Sequence, residues 1–232
     1  MYLYETHLHT APLSACARAG VRETLEYYKS AGYTGVFLTD HFIDGNVDRA
    51  IRGLPYEERI RHFFAVKDEA KEIGGELGIE VFYAFEMTCG GTDFLVYGIG
   101  MDWCLAHPDM DKMKKSELLR LLCEDGALVI HAHPFREAAY IDHIRLFPRL
   151  VHGTEIFNAC RTDFENEMAA QYCKNYGLIP FAGSDNHVAG GLKRFGGMAT
   201  EEPVRDVGEF IELVLSKAAK PFIRDENRIR LL

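Results

Sequence analysis

Short apolar runs alternate along this chain with longer segments in which apolar residues recur at helical spacing. Residues 3–7, 35–39, 80–85, 94–98, 127–131, 153–157 and 179–182 read as strands, each short, rich in β-branched or aromatic residues, and bounded by glycine or polar positions. Residues 22–31, 56–73, 112–124, 163–176 and 207–217 read as helices. In the second of these, Ile60, Phe63, Phe64, Val66 and Ala70 fall along one face with charge opposite. Gly32, Gly74, Gly126 and Gly177 stand where a helix should stop before the next strand, the usual place for a left-handed cap. Repeated strand–helix units with short connections imply an α/β fold with a mainly parallel sheet, either doubly wound or closed as a barrel. No internal repeat or long Pro/Gly-rich linker divides the chain, so residues 1–232 are expected to form one domain.

Composition narrows the picture. The chain is 47% hydrophobic and 26% charged, ordinary values for a globular protein with a buried core. A net charge of −9 without a run of Lys or Arg argues against a long nucleic-acid footprint. No run of ~20 apolar residues is present, so no membrane span is expected. The first residues, Met1-Tyr2-Leu3-Tyr4-Glu5, lack the basic start and apolar core of an export signal. The cysteines (Cys16, Cys89, Cys104, Cys123, Cys160 and Cys173) are scattered and form no CxxC pair. They are expected to be reduced, mostly buried thiols of a cytoplasmic protein. Nothing in the sequence bears on oligomeric state.

The candidate chemistry lies in the histidines. Of ten, six (His7, His9, His41, His131, His133 and His187) fall at or just past the end of an expected strand. In parallel α/β folds that end of the sheet carries the active site. Acids stand at equivalent places: Asp40 beside His41, Glu86 closing the third strand, and Asp185 two residues before His187. In an extended segment, residues two apart share a face, so His7 and His9 can grip one ion. Imidazole is a ligand for zinc and other first-row metals. A buried Glu after an apolar strand is costly without a partner, which favours a ligand role for Glu86. Five strand ends finishing in such residues offer more donors than one tetrahedral ion takes, so two or three ions sharing carboxylates are expected.

The series His7-Leu8-His9-Thr10, Thr39-Asp40-His41, Phe85-Glu86, His131-Ala132-His133-Pro134 and Gly183-Ser184-Asp185-Asn186-His187, in this order and spacing, resembles the PHP family, named for its polymerase and histidinol phosphatase domains. The resemblance runs from about residue 5 to residue 190. It implies a distorted (β/α)7 TIM-like barrel with two or three divalent ions (Zn, Mn or Fe) at its C-terminal rim. One metal would be held by His7, His9, Glu86 and Asp185. A second would share Glu86 and take His133, and a third would be held by His41 and His187. Asp40 would orient an imidazole, and His131 would be a pocket residue or proton carrier. Two positions depart from the family pattern. Asp93 stands where many members carry a ligating His, and Cys16 is the strong donor where members usually place Asp or His.

The resemblance also implies a phosphoesterase acting on a small phosphorylated metabolite, in the manner of a histidinol phosphatase. A metal-bridging hydroxide would attack phosphorus in line, and an imidazole or a metal-bound water would protonate the leaving alcohol. Arg136, Arg161 and Arg194, with Lys193 beside the last, are candidate clamps for phosphate oxygens, and Asn158 is a candidate substrate contact. The alternatives are a phosphodiesterase or nuclease acting on nucleotides or short oligonucleotides, and a metal-binding module without turnover. An amidohydrolase-like enzyme would usually want a metal-bridging Lys at a strand end, and no apolar strand here ends in one.

Overall fold

The computed structural model describes residues 1–43, 45–225 and 228–232. In chain order the first half contains β1 (Tyr2–Glu5), α1 (Val21–Ser30), β2 (Gly35–Leu38), β3 (His41–Phe42), α2 (Arg49–Arg52), α3 (Tyr56–Leu77), β4 (Glu80–Thr88), β5 (Asp93–Tyr97) and α4 (Met101–Ala106). The second half contains α5 (Lys115–Glu124), β6 (Leu128–His131), β7 (Gly153–Asn158), α6 (Asp163–Tyr176), β8 (Ile179–Gly183), β9 (Arg194–Thr200), α7 (Val207–Leu215), β10 (Lys220–Asp225) and β11 (Arg228–Leu231). All seven expected strands and all five expected helices are present. The strands form one curled, mixed sheet in the order β11-β10-β9-β1-β2-β4-β5-β6-β7-β8, with β3 paired alongside β4.

The expectation of a mainly parallel sheet needs correction. Antiparallel pairings (β1–β9, β9–β10, β10–β11, β4–β5 and β5–β6) are as numerous as parallel ones. Two causes account for this. β4 turns directly into β5 through Gly90 and Gly91, both at positive φ, with no crossover helix between them. The C-terminal β9–β11 ribbon has a weak strand signature: Gly196-Gly197 interrupts the apolar pattern of β9, and β10 and β11 are short runs flanked or interleaved by charged residues. Gly197 belongs there because a Cβ would lie 2.1 Å from the Tyr4 carbonyl oxygen of the neighbouring strand.

The curl brings the chain after β1 against the chain after β8. Leu8 and Asn186 form a parallel bridge, His9 N–H donates to Asn186 O at 3.0 Å, and Asp185 N–H donates to His7 O at 2.8 Å. Alternation along each strand then sorts side chains between two faces. Val36, Leu38 and Val81 face α1 and α3. Phe37, Phe82, Ala84, Leu95, Tyr97 and Phe181 face the inside of the curl, where Phe210 and Val214 of α7 also pack. Continuing each inward series toward the rim gives Phe82–Ala84–Glu86 on β4, Tyr97–Leu95–Asp93 on β5 and Phe181–Gly183–Asp185 on β8. The inner face is thus apolar at its base and carboxylate-bearing at its rim.

Local corrections follow from packing. Gly74 does not cap α3. The helix runs on to Leu77 and ends at left-handed Gly78 (φ 69°). A Cβ on Gly74 would lie 2.5 Å from Val81 Cγ2 and 2.7 Å from Ile79 O, so glycine is required for close helix–strand contact. The cysteines form no disulfide, yet only Cys104 and Cys173 are buried; Cys160 is exposed and the other three are intermediate. No described helix is long and apolar enough to cross a membrane.

Gly75 sits one residue further along α3 with no atom within 4 Å of its virtual Cβ. Gly75→Ala should therefore stabilise by about 0.5–1 kcal/mol through helix propensity, and Gly74→Ala should destabilise by about 1–3 kcal/mol through overpacking. Urea unfolding of the two variants checks this, and effects of the same sign would contradict the packing.

Candidate metal centre and active site

The inward rim residues converge. Glu86 lies at the centre, with His7 Nε2 at 3.3 Å, His9 Nε2 at 3.4 Å, His41 Nδ1 at 2.8 Å and His133 Nε2 at 3.2 Å from one or other of its oxygens. Asp185 closes the opposite side, 3.5 Å from His7 Nε2, 3.3 Å from His9 Nε2 and 3.8 Å from His133 Nε2. His187 Nδ1 is 3.7 Å from Asp185 and 2.8 Å from its carbonyl oxygen. Three overlapping triads have donor atoms within 4.8 Å of one another: His7–His9–Asp185, His7–Glu86–His133 and His9–His41–His187.

Backbone geometry aims these side chains. His133 (φ 24°) and Asp185 (φ 56°) are non-glycine residues at positive φ, a conformation costing of order 1–3 kcal/mol each. The chain leaves β6 after His131, and the positive φ at His133 separates the directions of the two side chains. His131 points to the outer face, stacked on Phe94 with Phe147 and Tyr172 around it, and it belongs to none of the triads. Burial, followed by neighbouring His133, pushes its pKa down to about 3, so it is neutral.

Three buried acids, Glu155, Glu5 and Asp40, orient the cluster, and the half-buried Asp93 flanks it. Glu155 Oε1 is 2.9 Å from His7 Nδ1, and Oε2 accepts from His133 N at 2.9 Å and Asn158 Nδ2 at 3.1 Å. Glu5 Oε1 accepts from Thr6 N and His7 N at 2.9 Å and Ser184 N at 3.0 Å, tying β1 to β8. Asp40 accepts from Thr10 N at 2.5 Å and Ser14 Oγ at 2.9 Å, with Lys67 Nζ 3.7 Å away. Ser14 Oγ in turn lies 3.1 Å from His9 Nδ1 and receives His41 N–H. Asp40 thus reaches an imidazole through Ser14. Asp93 sits at the edge, 4.0 Å from His133 Nε2, with Thr88 Oγ1 donating to it at 2.7 Å. With Nδ1 of His7 and His9 engaged by Glu155 and Ser14, their Nε2 lone pairs face each other at 3.2 Å.

That arrangement needs positive charge at its centre. His41 Nδ1 and Glu86 Oε2 are both buried without a hydrogen bond, although they lie 2.8 Å apart. Facing imidazole nitrogens and two carboxylates suit divalent first-row cations, so the donor set fits metal binding. Without a cation, protons take this role. Burial opposes charge on every one of these groups, but Glu155, Asp185 and Glu86 outweigh it and raise His7. Glu86 and Cys16 likewise raise His41 to about 11. His41, His7 and His133 overcome burial to hold Glu86 well below the usual carboxylate range. His9, by contrast, is driven down to about 3 by burial and then by His41.

A cleft of about 460 Å³ leads to the cluster, lined by Cys16, His41, Asp93, Arg136, Asp185 and His187 among others. Burial opposes ionisation of the Cys16 thiol, but hydrogen bonds from His187 and His41 lower it to about 6. Arg136 lies against the cleft with its guanidinium 5.8 Å from the Tyr140 ring centre, and Arg161 Nη2 is 4.0 Å from Asp185. The Nε atoms of both arginines are buried without an acceptor. Two expected contacts are engaged elsewhere. Arg194 pairs with Asp163 at 2.6 Å and covers Phe157, and Asn158 holds Glu155 and accepts from Cys160 N. Sequence reasoning missed Glu155, Glu5, Lys67 and Arg52, the last of which also lines the cleft. A lone Glu inside the otherwise apolar 153–157 strand was the available signal for Glu155.

No protein-family model matches the chain, and no curated protein matches it. Solved structures do. A two-domain protein from Bacteroides vulgatus that contains a predicted PHP-like metal-dependent phosphoesterase superposes with a TM-score of 0.66 at 16% identity, over 95% of this chain and 64% of the other. This chain therefore spans just under two thirds of that protein. A protein from Bifidobacterium adolescentis, assigned as a metal-dependent phosphoesterase, gives 0.56 at 15% identity, over 91% and 95%. An amidohydrolase from Chromobacterium violaceum, with sulfate bound and no metal, gives 0.53 at 14% identity, over 91% and 96%. At such identities the likeness establishes a shared fold.

Because His7, His41 and His133 carry raised pKa values in the cation-free cluster, Zn²⁺ or Mn²⁺ must displace their protons. Binding at pH 7 should release at least one proton per ion, and affinity should rise with pH. Titration in weak buffer with a pH indicator measures this; proton-neutral binding would contradict it. Glu155→Gln should weaken metal affinity roughly 10–100-fold by loosening His7, and calorimetry with unchanged affinity would argue against that support.

Proposed function

We propose that this protein is a metal-dependent phosphoesterase that hydrolyses a small phosphorylated metabolite, a monoester, at the rim of a distorted (β/α)7 barrel. One juxtaposition carries the reading. A buried cluster of imidazoles and carboxylates suited to divalent cations lies beside two arginines, Arg136 in the wall of the cleft and Arg161 with Nη2 4.0 Å from Asp185. A tetrahedral phosphate satisfies both halves of that arrangement, since its oxygens take charge-assisted hydrogen bonds from planar guanidinium groups. The fold neighbours assigned as metal-dependent phosphoesterases support it.

His7, His9, Glu86 and Asp185 would hold one ion, Glu86 and His133 a second, and His41 and His187 a third, with Asp93 at the edge and Cys16 as a further donor. Divalent ions in such a site supply charge neutralisation at the phosphoryl oxygens and a lowered pKa for water. The remaining work belongs to the chain. Arg136 and Arg161 orient the phosphoryl group toward Asp185 and Glu86. Glu155 and Ser14 fix the imidazole tautomers, so that lone pairs face the centre. Where no third ion takes its free nitrogen, His187, half-exposed at the mouth of the cleft with a pKa that neighbouring groups raise against burial, is placed to give a proton to the leaving alcohol. Lys67, the buried lysine, sits behind Asp40 and donates to Leu38 O at 2.5 Å, outside the donor cluster. It therefore does not supply the bridging lysine that an amidohydrolase-like centre would want.

The metal-loaded protein should hydrolyse p-nitrophenyl phosphate faster than bis-p-nitrophenyl phosphate or a short oligonucleotide. Glu86→Gln should reduce kcat at least about 10³-fold and lower metal content, since it removes a carboxylate from the centre of the cluster. Faster diester cleavage would move the assignment to a phosphodiesterase; full activity of the variant would end the mechanism.

A further inference from the structure

A second cavity, of about 360 Å³, opens next to the metal cluster. Thr88 and Gly91 line both it and the cleft described above, so the two cavities adjoin at the β4–β5 turn. Its walls come from residues that immediately follow proposed ligands, Phe42 after His41 and Met87 after Glu86, and from Met110, Met113 and Leu118. β3 and β4 hold the first four in fixed register, His41 opposite Glu86 and Phe42 opposite Met87. Three methionines make an apolar wall that adapts to a flat or irregular guest.

Two charged side chains interrupt this wall, Asp111 and Lys115. Lys115, the first residue of α5, lines the cavity half-buried and makes no ion pair with a carboxylate among the described residues; its ammonium lies 5.1 Å from the centre of the Phe147 ring. The Gly90-Gly91 turn passes beside it, and a Cβ on Gly90 would sit 3.5 Å from Lys115 Nζ. Arg145, which donates to Gly90 O, adds a second cation on the same turn. A half-buried ammonium at the wall of a largely apolar cavity, with no carboxylate at ion-pair distance among the described residues, is poorly solvated, and an anionic group is its natural partner.

We infer that this cavity is the specificity pocket for the alcohol half of the substrate, and that it accepts an apolar, preferably aromatic, group bearing a carboxylate that meets Lys115. The inference rests on the phosphoesterase reading of the cluster and gives it a substrate class, carboxylated apolar phosphomonoesters. Small polar esters fill neither the apolar wall nor the cationic point.

The test compares 4-carboxyphenyl phosphate, phenyl phosphate and glycerol 3-phosphate as substrates of the full-length metal-loaded protein. kcat/KM should fall in that order, by about tenfold or more at each step, a tenfold step being 1.4 kcal/mol. Lys115→Met should cut the ratio of the first to the second about tenfold. Met113→Trp, which fills the cavity, should cut the ratio of phenyl to glycerol ester by a similar factor. Equal rates on all three esters, or ratios that neither substitution moves, would overturn the pocket assignment while leaving the phosphoesterase intact. If no ester is hydrolysed, the phosphoesterase reading fails, and calorimetry with 4-hydroxybenzoate then decides the pocket. Binding that Lys115→Met weakens about tenfold upholds it, and no heat at millimolar ligand overturns it.

Discussion

A single buried carboxylate sets the terms for the rest of this structure. Glu86 is 1% exposed and lies within 3.4 Å of nitrogens on four different imidazoles. Taking an isolated carboxylate out of water costs many kcal/mol, and surrounding it with neutral imidazole lone pairs would not recover that cost. The site must hold positive charge, as protons or as metal ions. The raised pKa values of His7 and His41 and the depressed one of Glu86 are the proton-bound expression of this requirement. Divalent cations satisfy the same demand with donors already aimed inward.

The fold exists in this form because the sheet curls until the chain beyond β1 meets the chain beyond β8. Glu5 and the backbone bond from Asp185 to His7 hold that junction. Period-two alternation then does the sorting. The positions that build the aromatic floor of the curl, continued two residues further, place Glu86, Asp93 and Asp185 at its rim. Packing and chemistry are therefore one pattern read at two heights, and a register slip of one residue on β4 would turn Glu86 outward and empty the centre.

Much of this was legible in the chain. The apolar runs were clear, and five of the seven ended in a metal-competent residue, so the strands and most members of the cluster could be named from order and spacing. Direction was harder. In residues 80–98 the Gly90-Gly91 pair and the eight residues between the two apolar runs, too few for a crossover, were the signs of a tight β4–β5 turn, and β9 hides behind its glycines. The two histidines of residues 131–133 look equivalent in sequence. Only the positive φ at His133 separates an inward donor from a neutral, aromatic-packed neighbour. Glu155 was missed because an acid inside an apolar strand carries no spacing signature, though its burial makes it the hinge between His7 and His133. Arg194 looked available in sequence, but a partner it reaches only in space, Asp163, engages it.

The central claim is that these side chains surround divalent cations. Crystals of the metal-loaded protein, measured on both sides of the zinc or manganese absorption edge, test it most directly. The account predicts anomalous peaks within bonding distance of Glu86, with His7 and at least one of His9, His133 and Asp185 around each peak bound to it. A loaded protein whose only anomalous peaks lie away from Glu86 would contradict it.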